Sequence, residues 1–187
     1  MVTCLNRGEL VEKLRDLVKR MEKALGEENE VTLKTLNSLG VQLKDNGEYE
    51  EAKEVHERCL MGRMKLFDKD HPDTLATLNN LGCVYDNLKN YEKALEYYER
   101  ALKGSERMLE KNHPETLVTL ENIAVVYKSS KDYGKAEELY ETALEGYEAQ
   151  LGKDRRLTKY CTKFFKICLE KSGDDAKRLE ELKQAYP

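Results

Sequence analysis

Proline and glycine are scarce: three Pro and eleven Gly in 187 residues, too few for a loop-rich β fold or a disordered tail. An excess of basic residues is also lacking. The formal net charge is -4, which disfavours a nucleic-acid partner, because that footprint needs a basic face. No apolar run approaches the ~20 residues a membrane-spanning helix requires, so no membrane partner is expected. The opening MVTCLNRGEL has neither an apolar centre nor a small-residue cleavage site and does not read as a secretory signal. The five cysteines are Cys4, Cys59, Cys83, Cys161 and Cys168, an odd number with no C-x-x-C spacing. They are expected to be reduced thiols in a cytoplasmic protein. The sequence holds no G-x-S-x-G, no phosphate-binding glycine loop and no H-E-x-x-H. No enzymatic activity and no cofactor are therefore expected.

What is present is a charged, periodic chain: 36% charged and 40% apolar residues, a balance suited to helices with one buried stripe and one wet face. Thr35-Leu36-Asn37-Ser38-Leu39-Gly40 returns 42 residues later as Thr77-Leu78-Asn79-Asn80-Leu81-Gly82, and again as Thr119-Leu120-Glu121-Asn122-Ile123-Ala124. Residues 68–109 and 110–151 align without gaps and share 22 of 42 identities, and 26–67 share 15 of 42 with 68–109.

Each block reads as two helices. In the second block, His71-Pro72-Asp73-Thr74 opens the first, with proline at a first-turn position where no hydrogen bond is lost and Asp73 at the positive helix end. Leu75, Leu78, Leu81, Gly82 and Tyr85 then share one side at helical spacing. Residues 87–90 break the pattern, as Asn46-Gly47 and Ser129-Ser130 do in the neighbouring blocks. Tyr91 starts the second helix, whose inner face carries Ala94, Tyr98, Ala101 and Leu102. Gly40 and Gly82, with Ala124 in the third block, sit mid-helix, where glycine costs roughly 1 kcal/mol against alanine. That placement predicts close approach of the paired helix, which offers Ala52, Ala94 and Ala136.

Leu78-x-x-Leu81-Gly82-x-x-Tyr85, followed by Ala94-x-x-x-Tyr98 and Ala101, resembles the tetratricopeptide repeat, with Leu in place of the usual Trp. The 42-residue period and the His-Pro-[Asp/Glu]-Thr-Leu opening are similar to the repeat type of kinesin light chains and nephrocystin-3. The resemblance covers residues 7 to about 175. It implies an all-α fold, a right-handed superhelical solenoid of antiparallel helix pairs. The register divides a single domain, 1–187, into a half repeat (7–25), repeats 26–67, 68–109 and 110–152, and a degenerate C-terminal repeat or cap (153–187). Leu10, Leu14 and Leu17 fall at the positions of Ala52, His56 and Cys59. The array thus opens on a helix lacking its partner, a sticky edge expected either of a piece of a longer array, the favoured reading, or of a monomer able to self-associate end to end.

A stripe off the core on each first helix is the candidate site. Ala76, Asn80, Cys83 and Asn87 lie at i, i+4, i+7 and i+11. Their equivalents are Lys34, Ser38, Val41 and Asp45, then Val118, Asn122, Val125 and Ser129, then Tyr160, Phe164, Ile167 and Lys171. The resemblance implies that this stripe lines a concave groove that takes a protein or peptide partner. Val118, Val125, Phe164 and Ile167 are poor choices for open water, and Asn80 and Asn122 can hydrogen-bond a peptide backbone. The carboxylate clamp of some family members is incomplete: Lys34 and Asn80 fit it, while Ser38, Val118 and Phe164 do not. The basic groove by which kinesin light chains take acidic peptides is represented only by Lys34 and Lys171, near the ends. His56 and Cys59, at i and i+3, could meet one metal ion, but no second pair lies at matching spacing and both fall on core positions, so packing is the reading adopted. The expected function is a protein–protein interaction scaffold. The alternatives are a kinesin-light-chain-like cargo adaptor segment and a structural spacer of a longer array.

Overall fold

The computed structural model describes residues 7–109, 112–153, 155–173 and 175–186; Cys4 lies outside them. Among the described residues there are nine helices and no strand. They form two compact units that divide inside one helix, between Gly104 and Ser105.

The first unit contains α1 (Arg7–Leu25), α2 (Glu30–Asp45), α3 (Tyr49–Leu66), α4 (Pro72–Asn87) and α5 (Tyr91–Met108) as far as Gly104. Helix starts follow the expected chemistry. Pro72 occupies the first turn of α4, and the His71 ring accepts from the Asp73 N–H through Nδ1 at 3.2 Å. This bond satisfies one of the orphan donors at the helix end. Asn29 caps α2 by accepting from the Val31 N–H at 2.9 Å. The turn after α4 ends on a left-handed residue, Lys89, at φ 62°. There the Asn90 N–H reaches back to the Tyr85 carbonyl at 2.9 Å, the pattern of a Schellman cap.

Burial in this unit follows the apolar stripes. Val11, Val18, Leu33, Leu36, Leu39 and Leu43 pack with Ala52, Val55, Cys59 and Val84 in one cluster. The mid-helix glycines make room for a ring of the paired helix, where the sequence had pointed to its alanines. A Cβ on Gly82 would lie 2.6 Å from the Tyr98 ring, and one on Gly40 would lie 2.6 Å from the His56 ring. A second close approach lies two turns away. A Cβ on Gly62 would meet Leu33 at 2.5 Å, and one on Gly104 would meet Leu75 at 2.3 Å.

One detail of α1 differs from the repeat register. Leu10, Leu14 and Leu17 were expected at core-equivalent positions, yet the residues buried against the following helices are Val11 and Val18. Leu10 and Leu14 are half-buried, and Leu17 is 38% exposed. The reason is geometric: the register face of a second helix points at its own first helix, and among the described residues none precedes α1.

The second unit runs from Ser105 through α6 (Pro114–Ser129), α7 (Tyr133–Leu151), α8 (Arg156–Ser172) and α9 (Ala176–Ala185). The same local devices recur. His113 accepts from the Glu115 N–H at 3.3 Å, Lys131 is left-handed at φ 67°, and Asp132 N–H bonds the Tyr127 carbonyl at 2.9 Å. A Cβ on Gly146 would lie 2.3 Å from Leu117. The core gathers Leu117, Tyr140, Leu144, Tyr147, Phe165 and Leu169, with Leu182 and Tyr186 closing one end. Gly47, Lys89, Lys131 and Gly173 all have positive φ and stand 42 residues apart, so the period of the sequence is also a period of the backbone.

Candidate functional site

None of the stripe residues falls in the buried class. In the first unit, α2 and α4 lie side by side, and the Asn80 side-chain amide donates to the Asn37 carbonyl oxygen Oδ1 at 3.0 Å. Asn37 was not singled out in the sequence, although it repeats as Asn79 in the next block. Lys34 pairs with Glu30 one turn earlier at 2.5 Å, and Ser38 donates back to the Lys34 carbonyl at 3.0 Å. Asn87 likewise donates to the Cys83 carbonyl at 2.8 Å. Cys83 is half-buried and accepts from the Tyr98 hydroxyl at 3.0 Å. Val41 is half-buried, and Asp45 and Ala76 are exposed. This face is therefore shallow and largely polar, with much of its hydrogen-bonding capacity turned onto its own helices.

The corresponding face of the second unit is more apolar. Val118 is 39% exposed and Tyr160 50%. Asn122, Val125, Ser129, Phe164 and Ile167 are half-buried. Tyr160 meets Phe164 edge-on with ring centroids 4.6 Å apart. The Lys128 ammonium stands 3.9 Å from the Phe164 centroid, a cation–π contact between α6 and α8 that holds the ring in place. Lys128 was missed in the sequence. It stands three residues after Val125, beside the stripe, and its equivalents Asp86 and Lys44 share no common chemistry. Tyr160, Phe164, Val118 and Val125 together make this face more apolar than its counterpart on α2 and α4.

Several groups, Cys83 of the stripe among them, have shifted ionisation. Glu121 is only 6% exposed. Burial pushes its carboxyl up, while the Tyr147 hydroxyl, donating at 3.0 Å, opposes this. Burial also raises the Cys59, Cys83 and Cys161 thiols, and takes Cys168 up to about 11. The described cysteines are free and hold their protons at neutral pH, the opposite of an activated nucleophile. His56 is fully buried and neither ring nitrogen has a partner. Burial, with Lys44 and Arg63 adding to it, pulls the imidazole down to about 4. Among the described residues no group of three or more His, Cys, Asp or Glu could hold a metal ion, and no helix is long and apolar enough to cross a membrane.

Paired helices closed by glycine contacts, with a 42-residue backbone period, define a helical repeat protein. The chain belongs to the tetratricopeptide repeat family, which matches residues 31–107, 87–149 and 115–187. No curated protein matches it by sequence. Among solved structures it is similar to the nearly identical TPR-like repeats of a Podosopora anserina protein assigned as a kinesin light chain. That likeness has 22% identity over 96% of this chain and 85% of the other, with a TM-score of 0.81. BtubC (BKLC) from P. vanneervenii is also similar, at 18% identity over 98% of this chain and 73% of the other, with a TM-score of 0.80. At these identities the likeness is one of fold.

Proposed function

We propose that the chain is a protein-interaction scaffold that holds an extended or helical segment of a partner protein on the stripes of its first helices, without catalysing a reaction. The observation that carries this reading is the face of α6 and α8. Exposed Val118 and Tyr160 and half-buried Phe164 are set beside Asn122, in a family built of helix pairs. Exposed apolar side chains rimmed by polar groups mark interaction surfaces, and asparagine can donate to and accept from a peptide backbone. Kinesin-light-chain-like cargo adaptation is one form such a scaffold could take, supported by the named structural neighbours. Asn122→Ala and Tyr160→Ala together are expected to lower the affinity of a partner recovered from the source cell about tenfold, or about 1.4 kcal/mol. The thermal midpoint should scarcely move, since neither side chain belongs to the core cluster. A partner bound equally well by this double variant would remove the stripe from the account.

A second reading, a spacer within a longer array, rests on the open side of α1. Leu10, Leu14 and the exposed Leu17 would bury apolar area against another helix, at roughly 25 cal/mol per Å². This reading expects concentration-dependent self-association that falls when the three leucines become serine. Sedimentation of a clean monomer at high concentration would count against it.

A further inference from the structure

Helix α3 exposes two methionines, Met61 at 58% and Met64 at 49%, at i and i+3 and so on one face. This is not an open end of the fold, because α3 is packed by α2 and by α4. The register equivalents in the next two repeats are charged: Lys103 and Glu106, then Glu145 and Glu148. Lys103, Glu106 and Glu145 are exposed and Glu148 is half-buried. These positions therefore lie off the core in the later repeats as well, and nothing in the packing of a repeat calls for an apolar side chain there. Methionine at both is a departure of the first full repeat. The two side chains border a groove of about 360 Å³ between α3 and the loop that follows α1, lined also by buried Leu33 of α2. Its two banks carry opposite charge, Glu27 and Glu28 on the loop, Arg58 and Lys65 on α3. Lys65 meets Glu28 at 2.6 Å, and Arg58 bonds Glu22 of α1. The lining charges thus cancel, in a chain whose formal net charge is -4.

We propose that this groove is a homodimer interface, in which a second copy of the chain seats its Met61 and Met64 against the first copy's groove about a twofold axis running along it. The charge layout argues for a second copy. Such an axis lays each acidic loop over the basic bank of the other copy, so that no charge is buried against its own sign. A partner of one charge sign would set one bank against like charge. Methionine suits the contact, because its unbranched thioether side chain fills irregular gaps and adapts to the surface it meets. Association here differs from association through Leu10, Leu14 and Leu17, which do not line the groove. None of the groove residues belongs to the stripe, so the dimer carries two stripes, and a partner with two binding segments gains from the second.

The test is sedimentation equilibrium of the full chain over a wide range of concentration. The expected result is a monomer–dimer equilibrium with no larger species, since an isologous contact closes on itself. Met61→Lys with Met64→Glu installs the side chains that the next repeat carries at these positions, so this variant should keep its helical circular dichroism and weaken the dimer at least tenfold. Leu10→Ser, Leu14→Ser and Leu17→Ser together should leave the dimer within twofold. Glu27→Lys with Glu28→Lys, and separately Arg58→Glu with Lys65→Glu, should each suppress self-association, while an equimolar mixture of the two proteins should dimerise. These charge variants decide the matter should the methionine variant fail to fold. A monomer at every concentration would refute the interface. A dimer that the leucine variant disperses and the methionine variant leaves intact would assign association to α1 and equally contradict the proposal. Charge variants that self-associate as the wild type does, or a mixture that stays monomeric, would overturn the twofold arrangement.

Discussion

Leu117→Ala is expected to destabilise the second unit by about 3 kcal/mol, the cost of emptying a packed leucine site that relaxes only in part. Leu117 is 1% exposed and lies in the core cluster with Tyr140, Tyr147 and Phe165. The more informative measurement pairs it with Gly146. A Cβ there would lie 2.3 Å from Leu117 Cδ2 and 2.9 Å from Cδ1, so Gly146→Ala must push the leucine out of place. It is expected to be destabilising although alanine is the better helix former by about 1 kcal/mol. In the Leu117→Ala background the obstruction is gone, and the same Gly146→Ala should become neutral or stabilising. Chemical denaturation of the four proteins in the cycle reads this directly. A Gly146→Ala effect of the same sign and size in both backgrounds would mean that the two residues are not coupled. The pairs Gly62 with Leu33 and Gly104 with Leu75 should behave alike.

The second large effect is acid sensitivity at His56. The ring is held neutral in the folded chain, because burial and then Lys44 and Arg63 pull its pKa from 6.5 to about 4. The unfolded chain takes up the proton first as pH falls, so this group's contribution is favourable at neutral pH and is lost between about 6.5 and 4. At about 1.36 kcal/mol per pH unit, the loss reaches about 2 kcal/mol by pH 5 and about 3 kcal/mol by pH 4. Tyr98 and Tyr140 hold rings at the equivalent positions, so His56→Phe should fold. The stability of the wild type, measured by urea titration from pH 7.5 down to pH 4.5, should fall more steeply than that of the variant. Parallel curves would show that the buried imidazole does not titrate as described. Carboxylates with lowered pKa, such as Glu30 beside Lys34 and Asp132 beside Lys135, are common to both proteins and cancel in the difference.

The helix pairs were legible because their signals recur: leucine at helical spacing, a mid-helix glycine, a break, then small residues. The same holds for the capping histidines, which need only their place before Pro72 and Pro114. Single departures from the repeat gave no such signal. Arg63 aligns with Ser105 and Tyr147, and as an arginine would be placed on the surface. It is buried instead, donating to the Asp73 carbonyl at 2.5 Å and to Thr77 Oγ1 at 2.6 Å. Glu121 aligns with Asn37 and Asn79 and looks like another solvated glutamate, yet it faces Tyr147, a partner 26 residues away. A polar contact made once across a helix pair has no periodicity to read. The stripe itself was readable as a face off the core. Its change from polar on α2 and α4 to apolar on α6 and α8 was also readable from the residues, but the bonds by which Ser38, Asn80 and Asn87 turn back onto α2 and α4, and the Lys128 contact with Phe164, depend on rotamers that the residue order does not specify.

The most direct test of partner binding on the stripe is site-specific photo-crosslinking. A benzophenone side chain is placed in turn at Ala76, Val118, Lys103 and Glu138, all four exposed, the first two on the stripe and the last two on second helices away from it. The chain is then irradiated in lysate of the source cell. The account predicts a discrete crosslinked partner from positions 76 or 118, mapping to one short segment by mass spectrometry, and none from 103 or 138. Crosslinks to the same partner from all four positions, or only from 103 and 138, would contradict it.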